Sequence, residues 1–152
     1  MQITYLNYFL ASIISYLGLL VGLIIIKLAP EEHKPGKKYF ILLRKILFFL
    51  ILVPLLLSYK VHFILLIVVL LFVIVLIISN KINLNISARV YFILGIVFYL
   101  SSKIFNLFII ESVLIFLYGI PNASLLLKKR NYFDIFIRNL WFFVPVVLLY
   151  FI

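Results

Sequence analysis

The sequence contains no cysteine, only four acidic side chains, five glycines and five prolines in 152 residues, and charged residues make up just 12% of it. The missing cysteine excludes disulfides, thiolate metal sites and cysteine nucleophiles, and it leaves the redox compartment open. The shortage of charge excludes a soluble enzyme or a free nucleic-acid-binding protein. Soluble domains are about 25% charged and about 45–50% apolar, whereas 68% of this chain is hydrophobic. A fold of this size keeps much of its area at the surface and cannot cover such an excess in water. The mean hydropathy of +1.36 agrees. The sequence therefore predicts an all-α, polytopic integral membrane helix bundle forming a single domain over 1–152.

What charge there is has one sign. Lys and Arg number 14 against four acids, a net +10, which in a membrane protein points to cytoplasmic loops and anionic headgroups. The N-terminus lacks a basic n-region, and the apolar stretch behind it exceeds the roughly 7–15 residues of a signal-peptide core, so it reads as a retained span.

Polar punctuation divides the chain into six candidate spans, near 3–29, 39–58, 63–79, 90–105, 107–127 and 135–152. The 38 apolar residues Val90–Leu127 are too many for one span of about 20 residues and suit two short ones. The break is expected at Ser101-Ser102-Lys103-Ile104-Phe105-Asn106, although no Gly or Pro marks it. Five spans with one long tilted helix is the alternative. With six spans and both termini outside, twelve cationic residues, from Lys27 to Arg138, fall in inside loops, and only Lys60 and Lys103 fall outside. This asymmetry obeys the positive-inside rule, and five spans would spoil it. The expected location is the cell membrane.

Tyr5, Tyr8, Tyr16, Tyr39, Tyr59, Tyr91, Tyr132, Trp141 and Tyr150 mostly lie near proposed span ends, where interfacial rings sit. An offset of 91 residues aligns Pro30 with Pro121, Lys37-Lys38 with Lys128-Lys129, Val53-Pro54 with Val144-Pro145 and Tyr59 with Tyr150. This is a candidate parallel repeat, with chance similarity of apolar spans as the alternative. Pro54 and Pro145 are expected to kink their helices, either shaping the packing or opening a pathway.

Gly18 and Gly22 form a GxxxG in the first span, and Gly119 and Ala123 form a second pair of small residues. Such pairs let helices approach closely, within the chain or in a homo-oligomer. Glu111 sits in an apolar run, where an ionised carboxylate is costly unless paired, neutralised or wet. It is expected either to pair with Lys103 or Lys60 or to take part in proton or cation coupling. Glu31, Glu32 and His33 form the densest polar cluster. No metal motif completes them, so they read as a solvated turn in which Glu31 pairs with Lys27 and Pro35-Gly36 turns the chain back. Lys37, Lys38, Arg44, Lys45, Lys128, Lys129, Arg130 and Arg138 are expected to contact headgroups. If the second helix starts early enough to span, Arg44 and Lys45 must reach back along it toward phosphate. The sequons at Asn85 and Asn122 fall at or inside spans and are expected to stay unmodified.

No cofactor, metal or nucleic-acid partner is indicated; the expected partners are the bilayer and its anionic headgroups, and a homo-oligomer or another membrane protein. The favoured function is a transporter- or channel-type, substrate-binding membrane subunit. The alternatives are a scaffold within a larger complex and a lipid-active enzyme using the Glu31–His33 loop.

Overall fold

The computed structural model describes residues 3–29, 33–59, 84–127 and 131–151. All regular structure among them is helical: α1 (Tyr5–Leu28), α2 (His33–Ser58), α3 (Leu84–Ser101), α4 (Phe105–Leu127), α5 (Tyr132–Asn139), a 3-10 turn (Leu140–Phe142) and α6 (Phe143–Leu148). Three helices, α1, α2 and α4, are long and apolar enough to cross a membrane, while α3 carries a shorter apolar stretch, Ser87–Ser101. The described part of the chain is all-helical, and its apolar helices mark a membrane protein. The expected span 63–79 lies outside the described residues.

Thr4 caps α1, its hydroxyl accepting from the Asn7 amide, which satisfies one of the amides a helix start leaves orphaned. The turn expected at Pro35-Gly36 is corrected, because α2 begins at His33 and runs through both residues. A proline in the first turn surrenders only an N–H that has no helical partner anyway. Its 24 residues from Pro35 to Ser58 span roughly 36 Å at 1.5 Å per residue, and the helix continues unbroken past Pro54. Between α3 and α4 the chain turns without glycine. Ser102 N–H donates to Tyr99, Lys103 to Leu100 and Ile104 to Ser101, and the hydroxyls of Ser101 and Ser102 donate to the carbonyls of Phe98 and Tyr99. Two serines thus close a helix end that usually needs an αL residue.

The core is built on a parallel pairing of α1 with α4. A Cβ on Gly18 would lie 2.6 Å from the Phe116 carbonyl carbon, and one on Gly22 would lie 2.5 Å from the Ile120 oxygen and 2.9 Å from the Ala123 Cβ. Gly119 faces Gly18 and Leu19 in return. Ser15 shares its one hydroxyl proton between the Ala11 carbonyl of its own helix at 2.8 Å and, across the seam, the Ser112 carbonyl at 3.0 Å. Small residues bring the two backbones into contact, which is how packing is gained where lipid is as apolar as the side chains. A second parallel pairing joins α3 to the C-terminal segment, with Gly95 against the Phe142 carbonyl and the Pro145 ring.

The C-terminal segment is interrupted at Leu140–Phe142, and two α1 tyrosines meet the carbonyls freed at that break and at the segment's end. The Leu140 amide turns to Ile137, releasing the Phe136 carbonyl, which accepts from the Tyr16 hydroxyl at 2.6 Å. The Tyr150 amide turns to Val147, releasing the Val146 carbonyl, which accepts from the Tyr8 hydroxyl at 2.9 Å. A buried carbonyl left alone in hydrocarbon is costly, so these long-range bonds hold the break in place. Tyr8, Tyr16 and Tyr91 are therefore buried in the bundle rather than interfacial, whereas Tyr5, Tyr39, Tyr59, Tyr132 and Trp141 are exposed.

Tyr8 packs against Phe98, Phe108 and Tyr150, and the Tyr59 hydroxyl donates to Leu100. The start of α1, the ends of α2 and α3, the start of α4 and the end of α6 therefore share one end of the bundle. Leu28, His33, Leu84, Leu127 and Tyr132 stand at the other.

Candidate functional site

On α4 the positions 111, 115, 118 and 122 repeat at helical spacing and share one face. All four are buried, and three of them carry polar groups: Glu111, Tyr118 and Asn122. The face looks into the bundle. The Tyr118 ring meets Phe48 of α2 and, edge-on, Tyr91 of α3, and the half-buried Arg44 of α2 is within electrostatic reach of the Tyr118 hydroxyl.

Glu111 has no exposed surface. Neither carboxylate oxygen meets a hydrogen-bond donor among the described residues. The expected partner Lys103 lies on the turn instead, its ammonium 4.5 Å from the centre of the Tyr99 ring. Lys60, the other expected partner, lies outside the described residues. A buried carboxyl with no donor must hold a proton, meet a cation or be wetted, because an unpaired charge there costs several kcal/mol.

Deeper in the bundle, three side chains form a directed network that begins at Asn122 of the same face. The Asn139 amide donates to the Ile135 carbonyl at 2.7 Å, leaving its oxygen to accept from Ser87 at 2.9 Å. The Ser87 oxygen in turn accepts from the Asn122 amide at 2.8 Å. Each bond fixes the sense of the next, so both amide orientations are set by the network. At the Asn122 end of the network the Tyr91 hydroxyl lies within interaction range of the Asn122 side chain, although neither it nor the Asn122 oxygen makes a hydrogen bond of good geometry among the described residues. Reading the sequence missed this group. Ser87 and Asn122 stood out only as parts of sequons, although an amide inside an apolar run needs a partner, and that requirement was the available signal.

The remaining expected site residues are dispersed. Lys37 and Lys38 are exposed near the start of α2, and Arg44 and Lys45 are half-buried further along it. Pro145 is buried against Gly95 as part of the α3 contact, and Pro54 is half-buried in a continuous helix. Glu31, Glu32, Lys128, Lys129 and Arg130 lie outside the described residues, and His33 opens α2. Among the described residues no three His, Cys, Asp or Glu side chains gather to hold a metal. Arg138 lines a groove with Arg89, Phe92 and Trp141 between α3 and the C-terminal segment. No protein-family model, curated protein or solved structure matches the chain.

Proposed function

We propose that this chain is a transporter- or channel-type subunit of the cell membrane, crossing the bilayer six times with both termini outside, and that Glu111 takes part in moving a proton or cation. One observation carries the reading: Glu111 is fully buried, both its oxygens lack a donor among the described residues, and it heads an inward-facing stripe that continues through Tyr118 to Asn122. Ionisable groups inside membrane proteins commonly mark such pathways. The six-span topology draws support from charge placement. Lys27, Lys37, Lys38, Arg89 and Arg138 belong to the end of Leu28 and His33, with Arg44 and Lys45 further along α2, and Lys103 belongs to the opposite end. Tyr59 and Leu84 stand at opposite ends, which supports an even count. The 91-residue repeat draws less, since α2 is continuous where its counterpart is broken at Leu140–Phe142.

The test is Glu111→Gln in proteoliposomes holding a pH-sensitive dye. Wild-type protein should dissipate an imposed proton gradient faster than empty vesicles, and the variant should do so at least tenfold more slowly while keeping its helix content and oligomeric state. A hydrophobic carbodiimide, which attacks protonated carboxyls in apolar surroundings, should modify Glu111 and reproduce the loss. Equal rates for wild type and variant would sink the proposal. Loss of assembly in the variant would favour the scaffold instead.

A further inference from the structure

The groove between α3 and the C-terminal segment encloses about 650 Å³ and is lined by Ala88, Arg89, Phe92, Ile93, Arg138 and Trp141. Its two walls repeat one pattern. Arg89 stands one helical turn before Phe92 on α3, and Arg138 stands one turn before Trp141 on the C-terminal segment. The walls run parallel, as Ser87 meets Asn139 and Gly95 meets Phe142 and Pro145. Both guanidinium groups therefore belong to the basic end of the bundle, with both rings one turn deeper. The rings meet edge to face, their centres 6.2 Å apart, and close the floor with an apolar surface.

We infer that this groove binds one molecule of an anionic phospholipid, with its phosphate at Arg89 and Arg138 and an acyl chain along Phe92, Ile93 and Trp141. The occupant follows from charge complementarity. Guanidinium groups match phosphate oxygens, Arg89 and Arg138 both line the groove with Asp134 one turn before Arg138 on α5, and the chain carries +10 overall. A free phosphate would leave the aromatic floor uncovered, whereas a lipid fills both halves. Trp141 is more than half exposed, and its indole N–H is a donor suited to the ester region of a lipid. The assignment does not depend on Glu111.

Native mass spectrometry of the full chain in detergent, with dioleoylphosphatidylglycerol or dioleoylphosphatidylcholine added, tests it. One phosphatidylglycerol should be retained per chain, at least tenfold more tightly than phosphatidylcholine. Arg89→Gln should weaken that binding about fivefold, and Arg89→Lys, which keeps the charge but loses the fork, should weaken it less. Lys103→Gln removes the same charge at the far end and should change nothing, and inorganic phosphate should not displace the lipid. Equal losses for Arg89→Gln and Lys103→Gln would reduce the effect to net charge. Equal affinity for the two lipids, or displacement by inorganic phosphate, would also overturn the assignment.

Discussion

Replacing Gly18 with alanine tests the seam on which the bundle is built. The added Cβ would meet the Phe116 carbonyl carbon at 2.6 Å and its Cα at 2.9 Å, against the roughly 3.5–4.0 Å at which carbon atoms pack best. Both obstacles are backbone, so no rotamer change relieves them, and α1 and α4 must separate by roughly 1 Å. A gap of that size forfeits a quarter to a half of each dispersion contact it opens, and a buried leucine makes about 40–60 such contacts at about 0.1–0.2 kcal/mol each. Leu19 and Leu23 flank the glycines on the buried face. If about half of their contacts reach α4, the loss is roughly 2–4 kcal/mol, and the Ser15–Ser112 bond adds about 0.6 kcal/mol, typical of such bonds in membranes. Alanine recovers up to about 1 kcal/mol of helix propensity, leaving a net destabilisation of about 2–4 kcal/mol. Reversible unfolding in mixed micelles reads this difference. Gly36→Ala is the control, because its Cβ would touch only the movable Phe40 ring at 3.0 Å, and it should be neutral or stabilising. A Gly18→Ala protein as stable as wild type would refute the close approach.

In the polar network, Ser87→Ala and Asn139→Ala should each destabilise by about 0.5–2 kcal/mol, and the double variant by clearly less than their sum, since both break the same bond. Additive losses in the same unfolding assay would deny that the two side chains are coupled. Single cysteines at positions 37 and 89 should react with an impermeant maleimide from one side of the membrane, and one at 103 from the other. The native chain suits the test, having no cysteine of its own, and labelling of 37 and 103 from the same side would contradict the topology.

Several elements were legible because their signals are local. The Ser101–Asn106 cluster marked the α3–α4 turn, and the structure supplies the reason glycine is dispensable there: Ser101 and Ser102 satisfy the carbonyls of Phe98 and Tyr99 themselves. Gly18-Leu19-Leu20-Val21-Gly22 announced a helix contact, though not that its partner would be Phe116–Ala123 of the same chain. The break at Leu140-Trp141-Phe142 had no such signal. The segment is apolar, its proline comes later, and the hydroxyl that donates to its released Phe136 carbonyl belongs to Tyr16, 120 residues away. Tyr8 reads as interfacial because it lies near a span end, and the docked C-terminal segment covers it; Tyr16 stands at the middle of the span, where a hydroxyl needs a partner inside the bundle.

The buried polar groups divide by whether the fold satisfies them. Ser12, Ser15, Ser101, Ser124 and Asn139 all donate to backbone carbonyls, which is sufficient reason for a polar side chain to lie inside a membrane bundle. Among the described residues the exceptions are both Glu111 oxygens, and the Asn122 oxygen and Tyr91 hydroxyl, which approach each other without a hydrogen bond of good geometry. They are not scattered. Glu111 and Asn122 share a face of α4 eleven residues apart, about 17 Å along a helix, and Tyr91 packs against Tyr118, which lies between them. Among the described residues these groups lie on a single interior seam, with an acceptor beside a donor at its deep end and a carboxyl near the α3–α4 turn. Packing alone gives no reason for that concentration, because leucine at 111 would fill the space without the cost of a buried carboxyl. A seam that protons, cations or water visit does give one, and for that reason Glu111 is the first side chain to change.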